Sequence, residues 1–247
     1  MGAGTHGARA SAVSPTARSV LPGFNTIFDS VRLRPVILYT AMSPIPEARN
    51  IVAGALSTPP IDGDSSDFAI LEATIRCLTR YGMDRMTVED VARAAGVGRA
   101  TVFRRFESKD DLIRQAFALE LQRLVAEFGS KGAAFDDPFE RLVELTVDMV
   151  RVIRTHPVAQ RLVEDDNALP LQRDPRISAF QLAAVQRLLS QTAEELGVEV
   201  DTTVMAELLL RFFASMWMTP DIGAGADDEA TTRQMVQILL APLAARR

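Results

Sequence analysis

The sequence predicts an all-α protein, with a small three-helix module toward the amino-terminal side and a larger helical bundle after it. Three observations carry this prediction. From Asp67 onward apolar residues recur at helical spacing in one stretch after another, Gly and Pro separate the stretches, and no strand alternation of convincing length follows residue 65. A chain of 247 residues that is 47% apolar can bury one helical core of good size, or a small module joined to a larger one. No internal repeat recurs at a fixed period.

Residues 1–65 are rich in Gly, Ala, Ser, Thr and Pro. Pro22 and Pro35 interrupt the apolar piece "SVLPGFNTIFDSVRLRPVILYTAM", and "STPPIDGDSSD" reads as a linker, so this stretch is expected to be a disordered or weakly ordered extension. Met42 is an alternative start. From Asp67, the residues Ile70, Leu71, Thr74, Ile75, Leu78 and Tyr81 form one buried stripe, with Gly82 as a stop. Thr87 stands three residues before Asp90 as a capping box, Val88, Val91, Ala92 and Ala95 share a face, and Gly96 ends that second helix. The small alanines allow close approach of another helix.

A short helix follows, "RATVFRRF", which exposes Arg99, Thr101, Arg104 and Arg105 while Val102 and Phe106 face inward. Ser108 and Asp111 then cap the long amphipathic helix "KDDLIRQAFALELQRLVAEF", which is long enough to leave the small module and enter the larger one. Five further helices are expected at about 138–154, 157–167, 175–195, 201–218 and 228–244.

Composition narrows the chemistry. The formal net charge is -5, so no basic field covers the whole molecule and any nucleic-acid surface must be local. Such a reversal exists between Arg99 and Lys109, where four positive residues face one negative residue, Glu107. Two helices joined by a tight turn, the first alanine-faced and the second short and basic, meet the physical needs of a helix-turn-helix reader. In that arrangement Lys109, at the start of a capped helix, lies near the phosphate backbone. Thr87, a cap, has a hydroxyl that can also face phosphate. One cysteine, Cys77, provides neither a disulfide framework nor a zinc site, and a reducing compartment, the cytoplasm, is the expectation. No run of 18 apolar residues spans a membrane. Two histidines, His6 and His156, give an enzyme little material, and no catalytic residue, metal site or cofactor is expected.

The segment from about Phe68 to Leu112 resembles the DNA-binding domain of the tetracycline-repressor (TetR) family of bacterial transcription regulators. The residues that carry the likeness are Thr87 with Val88, the "VARAAGV" run, "GRATVFRRF" and "SKDDL". The resemblance implies that "GRATVFRRF" is the recognition helix, with Arg99 and Thr101 near bases or phosphates, Arg104 facing DNA and Lys109 on a phosphate. Phe103 stands where the family usually has tyrosine, so one phosphate hydrogen bond is lost, although its ring can still pack on sugar or a thymine methyl. Ala100 replaces a common glycine.

The domain reading is therefore an extension and linker over 1–65, a helix-turn-helix DNA-binding domain over 66–112, and a helical effector-binding and dimerisation domain over 113–247. Met149, Phe180, Phe213 and Trp217 are the candidate ligand contacts, since methionine and aromatic side chains suit an adaptable apolar pocket. His156, before Pro157, is expected to cap or pack a loop. "VMAELLLRFFASMWM" is apolar around most of its circumference, so part of its burial is expected from a partner. The expected function is a homodimeric regulator, paired through the last two long helices. It would repress from a palindromic double-stranded DNA operator until a small apolar or amphipathic effector releases it. The alternative is a helical protein whose degenerate DNA-binding head acts through protein-protein interaction.

Overall fold

The computed structural model describes residues 46–58, 63–222 and 228–244, which contain eleven helices and no strand. The expectations for residues 1–45, Met42 included, lie outside the described residues. In chain order the helices are α1 (Pro46–Ala55), α2 (Ser65–Arg85), α3 (Val88–Ala95), α4 (Arg99–Arg105), α5 (Lys109–Gly132), α6 (Pro138–Thr155), α7 (Pro157–Glu164), α8 (Ala168–Gln172), α9 (Pro175–Leu196), α10 (Thr202–Met218) and α11 (Glu229–Ala244).

Helix α1 falls inside the stretch read as an extension. Flanking prolines and Gly54 hid it, yet Ile51, Ala53 and Ala55 along it are buried. Its ten residues are too few to be stable alone, so tertiary packing holds the helix.

Helices α2 to α4 and the first turns of α5 form the head. Asp64 caps α2 by accepting from the amides of Ser66 and Asp67 at 2.9 and 3.0 Å, while Asp67 accepts from the amide of Asp64 at 3.2 Å. Gly82, expected to end this helix, instead kinks it at φ 77 and lets one more turn follow. The head core joins Ile70, Leu71 and Leu78 of α2, Val91 of α3, Val102 and Phe106 around α4, and Leu112 and Ile113 of α5. Each such side chain contributes roughly 1.5–3 kcal/mol on burial, more than an exposed ion pair at about 1 kcal/mol or less, so apolar packing sets the head's shape.

The bundle has its own core, built from Leu142, Val143 and Val147 of α6, Leu189 of α9, Met205 and Leu209 of α10, and Val236 and Leu240 of α11. The helix expected over 157–167 ends at Glu164, and a short α8 follows. Asp166 takes φ 56 in an Asp-Asp-Asn turn, a conformation that these short polar side chains tolerate. Between the lobes runs α5. Arg123 of α5 pairs with Glu72 of α2 at 2.5 Å, and Lys131 at its far end pairs with Asp148 of α6 at 3.0 Å.

Candidate nucleic-acid interface

The turn before α4 is made by two glycines with different tasks. Gly96 closes α3 in the left-handed region, φ 70, and the amide of Val97 donates to the carbonyl of Ala92 at 3.0 Å. Gly98 then starts α4 without any side-chain cap. Thr87 caps α3, accepting from the amide of Asp90 at 3.2 Å and donating its hydroxyl to the Asp90 carboxylate at 2.5 Å. That donated bond, first among the causes, holds the Asp90 carboxyl below its ordinary range. The Thr87 hydroxyl is thus already engaged in the cap.

With Val102 and Phe106 buried beneath it, α4 turns Arg99, Ala100, Phe103 and Arg104 outward. The Arg99 guanidinium stands 5.3 Å from the centre of the Phe103 ring, and Glu89 approaches it at 3.9 Å across open solvent. A pair that long and exposed leaves Arg99 available for another anion. Phe103 is 44% exposed, a large apolar ring kept at the surface. Arg104 has no hydrogen-bond or ion-pair partner among the described residues. Thr101 is half-buried beside this face.

Two of the expected contacts are engaged elsewhere. Arg105 turns back to the start of α2 and binds Asp64 at 2.8 Å and Asp67 at 2.5 Å. One residue adds about 100° around a helix, which carries Arg105 off the outer face that Arg104 occupies. The hydrogen bonds that Arg105 donates to Asp67, and secondarily to Asp64, raise its pKa, while its Nε is buried without a partner. Lys109 is half-buried and donates from Nζ to the Asp84 carbonyl at 3.2 Å, fastening the end of α2 to the start of α5. Ser108 caps α5 by accepting from the amide of Asp111 at 3.1 Å.

Asp64 and Asp67 were missed as contributors. Their spacing, aspartate three residues before aspartate at a helix start, was the available signal. Arg76 was missed too: its Nη2 donates to the Ala94 carbonyl at 3.2 Å and so holds the last turn of α3.

The four residues expected around a ligand are spread through the bundle. Met149 is half-buried on α6, and Phe180 on α9 is 42% exposed. Phe213 is half-buried and tilted against Phe212 at 6.1 Å, while Trp217 donates from Nε1 to the Ala159 carbonyl at 3.1 Å, joining α10 to α7. A cleft of about 250 Å³ lies between α6 and α11, lined by Val147, Val150, Arg151, Arg154, Thr155, Glu229 and Thr232. None of the four lines it. His156 caps nothing with its ring; Nε2 instead meets the Glu120 carboxylate at 2.9 Å, tying the α6–α7 junction to α5. No group of three or more His, Cys, Asp or Glu among the described residues could hold a metal ion. None of the helices described is long and apolar enough to cross a membrane.

Comparison with known proteins agrees with this geometry. Residues 70–116, which contain α3, α4 and the start of α5, match the family model of bacterial regulatory proteins, tetR family. An uncharacterised HTH-type transcriptional regulator of Mycobacterium tuberculosis is 27% identical over 176 residues, which is 70% of this chain and 83% of the relative. Among solved structures, a TetR-family transcriptional regulator from Pectobacterium atrosepticum has a TM-score of 0.55 at 16% identity, covering 72% of this chain and 93% of its own. The regulator FadR from Bacillus subtilis, solved in complex with stearoyl-CoA, has a TM-score of 0.51 at 15% identity, covering 71% of this chain and 98% of its own. Both structures share the fold.

Proposed function

We propose that this chain, which matches the tetR family model over residues 70–116, is a transcriptional regulator that reads operator DNA as a homodimer through α4 of each protomer. A small apolar or amphipathic effector in the bundle then weakens that grip, which makes the chain a repressor rather than an enzyme. The observation that carries the reading is the outer face of α4. Arg99, Phe103 and Arg104 stand exposed on a helix whose inner face is held by Val102 and Phe106, in a chain of net charge -5. Arginine binds phosphate or a guanine edge bidentately, and a surface phenylalanine can meet a thymine methyl. Arg99, Thr101, Phe103 and Arg104 form the reading surface, with Thr87, Arg105 and Lys109 holding its shape.

Exposed apolar side chains support the homodimer. Val204 and Leu208 lie one turn apart on α10, at 53% and 50% exposure, and Met235 and Ile238 stand out from α11 at 38% and 67%. Two copies paired on these helices bring their heads to one side of a duplex, as a palindromic operator requires. A cytoplasmic location goes with the reading, since the DNA is there.

The test is selection of genomic fragments by the full-length protein, followed by titration of the selected fragment with wild type and with Arg104→Ala. Saturable, sequence-selective binding that Arg104→Ala weakens supports the reading. Equal, weak binding of selected and random DNA sinks it. Release of the selected fragment by fatty acids or by stearoyl-CoA, the ligand in the Bacillus subtilis structure, tests the effector half separately.

A further inference from the structure

Helix α1 lies before the segment that matches the family model, yet it contacts both lobes. Ile51 enters the head core, at 7% exposure. Ala53, with Val52 and Leu56 beside it, packs instead with Leu171 of α8 and Ile177 of α9 on the bundle side, in a small cluster apart from the main bundle core, joined by Leu162 of α7, which also packs against the head core. Successive residues of one short helix are therefore divided between two apolar clusters.

Its polar ties are divided in the same way. On the bundle side Arg176 donates to Asn50 Oδ1 at 2.9 Å and also binds Asp174, the buried cap of α9, at 2.8 Å. On the head side Arg114 of α5 donates to the Thr58 hydroxyl at 2.8 Å and pairs with Asp111 in the first turn of that helix. Gly54 makes room for the stem of Arg114: a Cβ there would meet its Cδ at 2.8 Å. Six residues after Thr58 the chain reaches Asp64, which with Asp67 grips Arg105 at the end of α4. The segment that touches the bundle is thus joined by a short length of chain to the residues that hold the helix proposed to read DNA.

We propose that α1 is a strap that fixes the angle between head and bundle, with Ile51 and Asn50 as positioning residues for the spacing of the two α4 helices on an operator. A patch covering exposed apolar surface would need neither tie, and ties to one lobe would fix no angle. The strap has both. Its effect on DNA rests on the function proposed above, whereas its effect on the coupling of the lobes does not.

The experiment uses the full chain with Ile51→Asp and, as the variant that loses a single exposed hydrogen bond, Asn50→Ala. Thermal unfolding is followed by far-ultraviolet circular dichroism, which sees every helix, and by fluorescence of Trp217, the sole tryptophan, which sees the bundle. The two curves are expected to coincide in wild type and to separate in Ile51→Asp. Binding to the selected fragment is expected to fall about tenfold in Ile51→Asp and two- to threefold in Asn50→Ala, the scale of one lost orienting contact. The salt slope stays at the wild-type value, because no phosphate contact is lost. Preference for that fragment over one with half-sites respaced by one base pair is expected to shrink.

Coincident unfolding curves with unchanged affinity in Ile51→Asp overturn the proposal, as does an affinity loss that comes with a smaller salt slope. Should Ile51→Asp fail to fold, Asn50→Ala decides alone, and unchanged affinity with coincident curves overturns the strap. If wild type selects no DNA, the functional reading fails, and the two unfolding curves of the variants still decide whether α1 couples the lobes.

Discussion

Replacing Arg104 with alanine is expected to flatten the salt dependence of operator binding, whereas replacing Arg105 leaves that dependence alone and weakens the fold. The two residues are neighbours in sequence and opposite in circumstance. Arg104 is exposed with no partner among the described residues; Arg105 is held by Asp64 and Asp67. If each protomer places one Arg104 on one phosphate, a dimer loses two phosphate contacts, and the slope of log K against log salt falls by about 1.8 at roughly 0.9 per contact. Between 50 and 200 mM salt, wild-type affinity then drops by roughly twelvefold more than that of Arg104→Ala. Fluorescence anisotropy on the selected fragment at four or five salt concentrations measures both slopes. Arg105→Ala leaves two carboxylates facing each other without their cation and lowers Tm, with the wild-type slope retained. An Arg104→Ala slope equal to wild type, together with a reduced slope for Arg105→Ala, would refute the assignment of the two arginines.

Four further variants test other parts of the structure. Gly82→Ala is expected to cost about 1–3 kcal/mol, because alanine must adopt φ 77 and its Cβ also enters the space of the Asp165 carboxylate. Gly96→Ala, at φ 70 and ψ 26 with nothing near its Cβ, is expected to cost only the left-handed backbone share, about 1 kcal/mol, and so less than Gly82→Ala on chemical denaturation. The Arg176 guanidinium, ahead of its other causes, holds the buried Asp174 carboxyl at about 2 against an ordinary 3.8. A lowered folded pKa gives stability that is complete above pH 3.8 and lost as pH falls toward 2. Asp174→Asn is therefore expected to lose about 2 kcal/mol in urea at pH 7, with the gap to wild type narrowing at pH 3. Leu208→Glu combined with Ile238→Glu is expected to give a folded monomer by light scattering, with operator affinity reduced at least a hundredfold; a dimer would redirect the search for the interface.

What the sequence made legible was whatever depends on spacing along one helix. The buried stripe of α2, the Thr87–Asp90 box, the glycine end of α3 and the inward pair Val102 and Phe106 all follow from a 3.6-residue period and from caps three residues apart. The fates of Arg104 and Arg105 were not legible. Both read as exposed positions on a short helix, and it takes the start of α2, with Asp64 and Asp67 within 3 Å of Arg105, to separate them. Helix α1 escaped for a related reason. Fewer than three turns between prolines carry too weak a period to be read, and the surfaces that stabilise them are the head core around Ile51 and the side chains of Leu171 and Ile177, more than a hundred residues away. Whether the four residues expected around a ligand share one site was not legible either, because apolar side chains at helical spacing look alike whether they fill a core or line a cleft. The cleft between α6 and α11 draws on Arg151, Arg154 and Glu229, charged residues that no apolar pattern singles out.

The charge of the chain bears on how such a regulator finds its site. At -5 per protomer, the proposed homodimer would approach DNA as a polyanion approaching another, with the far field opposing encounter. Attraction arises only within about a Debye length, roughly 8 Å in physiological salt, of the exposed arginines on α4. Arg105 adds little to it, since Asp64 and Asp67 neutralise it locally, and Asp110 and Asp111 in the first turn of α5 compete with phosphate at that helix end. Non-specific affinity is consequently expected to be small, because it is almost wholly electrostatic and little net positive surface is available. If the chain pairs and reads DNA as proposed, specific binding comes from both heads engaging at once, and the angle between head and bundle, more than the number of charges, then governs occupancy. A device that shifts that angle by a small amount then releases DNA without having to overcome a large residual attraction.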